Sequence, residues 1–151
     1  MIRDGRDVAL SLFREGWIQP LLWDHGQELL VAALHWLWKV NRGRKCGQRV
    51  TPDYLEIRFE DFLTNREETL SKISEFVDYN LDPNVIEKNA VGTLQESNST
   101  FRSTLQKSQP IGRWRTFFSQ PDIDLIQSVL APTLRELGYE VTGRELKGDS
   151  D

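Results

Sequence analysis

The chain has 151 residues, 38% hydrophobic and 28% charged, the balance of a single globular domain with a core rather than of a disordered chain. Its formal net charge of −4 argues against a nucleic-acid partner, which would require clustered Lys and Arg. The single cysteine, Cys46, leaves no internal disulfide and no metal-ligand cluster, so no metal is expected and a reducing, cytoplasmic compartment fits.

In chain order, residues 1–3 read as a strand end, followed by a turn at Asp4-Gly5 and a helix over 6–15 whose Val8, Ala9, Leu12 and Phe13 recur at helical spacing. The N-terminus shows no apolar stretch of a signal peptide. The spacing of Leu29, Leu30, Ala33, Trp36, Leu37 and Val40 predicts a helix over 26–42, and Leu34 and Trp38 widen its apolar surface until most of it should be buried. The apolar run 29–38 is about half the roughly 20 residues that cross a bilayer, so no membrane segment is expected. Residues 42–49, with Arg42, Arg44, Lys45, Arg49 and two glycines, read as a helix exit and exposed loop.

Alternation of Leu55, Ile57 and Phe59 against Tyr54, Glu56 and Arg58 predicts a strand over 54–59. A helix over 66–78 follows, with Asn65 as its cap and Leu70, Ile73, Phe76 and Val77 as its stripe, and Pro83 opens another. Residues 92–110 are polar and read as a mobile loop. A last helix starts at Ser119, with Asp122 near its positive end, carries a stripe of Ile123, Ile126, Val129, Leu130, Leu134 and Leu137, kinks at Pro132, and stops at Gly138. One domain over 1–142 and a charged tail over 143–151 are expected.

The chemistry sits in three motifs. In Arg3-Asp4-Gly5-Arg6-Asp7-Val8-Ala9-Leu10-Ser11, an arginine at a strand tip and a serine on the following helix can face one anion, with helix N–H groups adding donors. The competing reading is a surface ion pair for Arg3 and an ordinary helical serine. This motif resembles the 3′-phosphate-binding segment of sulfotransferases that use 3′-phosphoadenosine 5′-phosphosulfate (PAPS), in which an Arg and a Ser eight positions later grip that phosphate. The segment 55–62, Leu-Glu-Ile-Arg-Phe-Glu-Asp-Phe, is similar to the family's Arg-Tyr-Glu-Asp-Leu, which implies that Phe59 lies near the adenine; its alternative is plain strand core. Lys107 to Arg115, ending Gly112-Arg113-Trp114-Arg115, resembles the family's C-terminal cofactor segment in its bacterial Gly-Arg-Trp-Arg version. It implies Lys107 and Arg113 as phosphate donors, against a solvated Lys107 and an Arg113 paired with a carboxylate.

The resemblance spans residues 1–140 and implies an α/β fold, a partial P-loop-like sulfotransferase domain, mostly helical with one or two parallel strands. It implies a fragment of a transferase that moves a sulfuryl group from PAPS to a hydroxyl or amine of a small-molecule or glycan acceptor. The family's loop for the 5′-phosphosulfate and its catalytic base precede the Arg and Ser motif, so the chain is expected to lack both and to be inactive alone. No Gly-x-x-x-x-Gly-Lys occurs, and catalytic residues stay unassigned: His25 and His35 read as capping and packed residues. The exposed apolar surface left by the missing half predicts self-association. The alternative is a non-catalytic module that binds nucleotide or a helical protein-interaction module.

Overall fold

The computed structural model describes residues 1–18, 26–89 and 110–141. Among the described residues seven helices run in chain order: α1 (Gly5–Arg14), α2 (Glu28–Gly47), α3 (Phe59–Thr64), α4 (Arg66–Val77), α5 (Pro83–Asn89), α6 (Trp114–Phe117) and α7 (Gln120–Glu136). α1 packs along α2, and both lie against α7, while α6 sits beside α1. The apolar stripes meet there: Ala9 of α1, Leu29, Ala32, Ala33 and Trp36 of α2, and Ile126, Leu130 and Leu134 of α7 form one core with Leu137 and Tyr139. Ser119 caps α7 through a reciprocal pair with Asp122, and Gly138, at φ 74, ends it.

The expectation of an α/β fold with parallel strands is overturned. Among the described residues there is no strand, only an isolated parallel bridge between Ile2 and Arg58. Ile2 N–H donates to the Ile57 carbonyl and the Phe59 N–H donates to the Ile2 carbonyl, each at 2.7 Å. Beyond those two bonds the ladder cannot extend forward, because both segments turn into helix, α1 at Gly5 and α3 at Phe59. Periodicity over 54–59 marks an extended segment but cannot supply a partner long enough to make it a strand.

Three local expectations also change. α2 continues to Gly47 through the expected loop, because Arg44 is tied to Glu56 at 3.0 Å and Glu136 at 2.9 Å and Gly47 lies against the Tyr54 ring. That tertiary anchoring outweighs the roughly 1 kcal/mol helix penalty of a glycine such as Gly43. α2 is buried along one face only, with Leu34 and Trp38 exposed. In α4 only Leu70 of the expected stripe is buried, Phe76 and Val77 are exposed, and Asn65 makes no side-chain cap bond. The loop expected over 92–110, apart from Pro110, and the tail over 143–151 lie outside the described residues. No helix among the described residues is long and apolar enough to cross a membrane.

Candidate functional site

The start of α1 is built by the middle of its own motif. Asp4 caps the helix by accepting from the Arg6 N–H, and its own N–H donates to Glu60, whose other oxygen accepts from the Tyr139 hydroxyl at 2.8 Å. Arg6 is 1% exposed: it makes a two-point contact with the Asp4 carboxylate, donates to Gln127 and to the Glu140 carbonyl, and lies 4.1 Å over the Trp114 ring. A buried guanidinium is tolerable because each of these partners replaces lost water. Gly5 is required by close packing, since a Cβ there would stand 2.7 Å from the Trp36 ring. That ring in turn donates its indole N–H to the Arg3 carbonyl at 3.1 Å, which fixes Arg3 at the tip of α1.

With its backbone held, the Arg3 guanidinium donates through Nη2 to the Pro110 carbonyl at 2.6 Å, lies 3.8 Å from Asp7 Oδ2, and sits 4.9 Å over the Phe59 ring. Its Nε is buried with no hydrogen-bond partner among the described residues, and so is Nε of Arg113. Burial, and then the charge of Arg3, hold the Arg113 guanidinium below its ordinary range, with Asp7 opposing. The two cations are therefore neighbours that repel. Asp7 is fully buried and accepts from the Gly112 N–H at 2.8 Å and the Trp114 N–H at 3.0 Å. Burial pushes its carboxyl upward, against the lowering influence of the Trp114 N–H, Arg3 and the Gly112 N–H.

Three of the five expected site residues come together: Arg3, Phe59 and Arg113. Phe59 does so as the first residue of α3, not as part of a strand. Ser11 is half-buried on α1, one turn beyond Asp7 and therefore on the same helical face. Lys107 and His25 lie outside the described residues, and His35 is exposed on α2 rather than packed, 6.4 Å from the Trp38 ring. Sequence reasoning missed Asp7; its signal is a carboxylate four residues after Arg3, in the first turn of the helix. A buried guanidinium Nε on each of Arg3 and Arg113 is a donor that an oxyanion such as phosphate can use.

Two clefts among the described residues lie elsewhere. One, of about 230 Å³, runs between α1, α2 and α6 and is lined by Phe13, Leu29 and Phe117 among others; the second, of about 260 Å³, is bordered by Ile2, Arg58 and Lys72. The arginine cluster belongs to neither and lies beside Pro110. No family model, no curated protein and no solved structure matches the chain.

Proposed function

We propose that this chain supplies the 3′-phosphate grip of a PAPS-dependent sulfotransferase. The observation that carries the reading is that Arg3 and the turn that bears Arg113, 110 residues apart in sequence, meet at Asp7, each arginine with a buried Nε that has no hydrogen-bond partner among the described residues. Arg3 and Arg113 would hold the phosphate, with Ser11 and Lys107 as further donors and Phe59 against the adenine. PAPS itself supplies the activated sulfuryl group, and a hydroxyl or amine of a small-molecule or glycan acceptor receives it. The described residues are assigned neither the 5′-phosphosulfate loop nor a general base, so the chain alone is read as a cofactor-binding part without turnover. A cytoplasmic setting agrees with the free, exposed Cys46.

Charged hydrogen bonds contribute ~1.5–3 kcal/mol each, so two or three give roughly 3–9 kcal/mol before association costs. Micromolar affinity needs about 8 kcal/mol net. Binding of 3′-phosphoadenosine 5′-phosphate should therefore be measurable by calorimetry only at high micromolar to millimolar concentration. Adenosine 5′-monophosphate should bind at least about tenfold more weakly, as should Arg3→Ala with the full nucleotide. Equal affinity for the two nucleotides would remove the 3′-phosphate assignment. A second reading, a helical protein-interaction module, is favoured by the exposed Trp17, Leu34 and Trp38 and predicts no nucleotide binding.

A further inference from the structure

We propose that Asp7 is the positioning residue of the anion site, fastening the turn at 112–114 to α1 and so setting Arg113 opposite Arg3. The inference rests on the reading of Arg3 and Arg113 as the phosphate grip. Its two oxygens divide the work: Oδ2 accepts from the Gly112 N–H and Oδ1 from the Trp114 N–H, so the carboxylate brackets Arg113 on both sides. The backbone of Arg113 is thereby fixed to a rigid helix without any contact from Asp7 to its side chain being needed. Something must fix it, because the guanidinium is repelled by Arg3.

The turn is specialised for this contact. Gly112 has φ 73, a backbone conformation that L side chains rarely adopt, and its N–H meets Asp7 in that conformation. Trp114 is 2% exposed beneath the Arg6 guanidinium, which anchors the far side of the turn in the core. An uncharged stand-in cannot do the same. Asparagine offers one acceptor oxygen where two N–H groups require two, and its own N–H₂ would face one of the donors.

The test compares wild type, Asp7→Asn, Arg113→Ala and the double variant, each titrated with 3′-phosphoadenosine 5′-phosphate, together with amide hydrogen exchange of the nucleotide-free proteins. If Asp7 acts by placing Arg113, each single variant binds about tenfold more weakly and the double variant is within about twofold of Arg113→Ala. Exchange at Gly112 and Trp114 should accelerate in Asp7→Asn while Ile126 and Leu130 in α7 keep their protection. Losses that multiply to about a hundredfold in the double variant overturn the proposal. So does unchanged exchange at both amides, whether or not nucleotide binds. Should Asp7→Asn fail to fold, Gly112→Ala distorts the turn with the carboxylate intact. It should show the same loss and the same lack of additivity with Arg113→Ala, and full additivity there overturns the proposal. If wild type binds no nucleotide but the two amides are released in Asp7→Asn, the clamp stands and the function falls.

Discussion

A carboxylate as deeply buried as that of Asp7 is costly to keep ionised, and the cost is visible in the direction of its shift. Its pKa is raised from the ordinary 3.8, so the folded chain holds this proton more tightly than the unfolded chain does. The resulting contribution to stability is fully present below the unfolded value and is lost as pH rises through the folded one. Denaturant midpoints of wild type and Asp7→Asn between acid and neutral pH should therefore draw apart, wild type losing ground to the variant as pH rises. A gap independent of pH would show that burial does not dominate this group. Gly5 makes a second residue-scale case. Gly5→Ala drives a methyl into the Trp36 ring and should destabilise by about 1–3 kcal/mol, read from a denaturant melt. Because the same ring holds the Arg3 carbonyl, the proposed nucleotide affinity should fall with it.

The elements differ in how much of themselves they announce. The start of α7 is a local arrangement: Ser119 and Asp122 satisfy each other's backbone, so Ser119→Ala should cost about 1 kcal/mol and lower the melting temperature accordingly. For the same reason it can be read from four residues in a row, as can the Gly138 stop and the stripe of Ile126, Leu130 and Leu134. The end of α2 cannot, because Arg44 draws that turn into helix through Glu56 and Glu136, partners 12 and 92 residues away. Within that network Tyr54 donates to Glu56, and burial followed by that neighbour pushes its hydroxyl up to about 12. Segment 54–59 failed for a related reason, since alternation records which side chains are apolar but not whether a second strand lies alongside. At the site, Arg3, Phe59 and Arg113 were readable as motif positions. Asp7 was hidden because a first-turn carboxylate also serves the helix dipole, and only tertiary structure shows that its acceptors are used 105 and 107 residues away.

On the scale of the molecule, the three-helix core of α1, α2 and α7 leaves one side of α2 uncovered among the described residues. Leu34 is 44% exposed and Trp38 58%, one helical turn apart on the same face. Self-association driven by that strip should appear as a rise of sedimentation coefficient with concentration, and Trp38→Lys should suppress it. A monomer at every concentration would count against it. The proposed anion site, by contrast, has no element to itself. It is assembled where the tip of α1, the first residue of α3 and the turn before α6 meet, so its geometry depends on the core that holds all three.

The burial of Arg6 bears on how the chain is made. Its acceptors include Gln127 and the Glu140 carbonyl, which emerge from the ribosome more than a hundred residues later. Until then α1 cannot settle into its final seat, because its cation would be shut away from water with only Asp4 to answer it. On that argument α1 stays open to solvent until Gln127 and Glu140 have been made, and α7 docks against it only then.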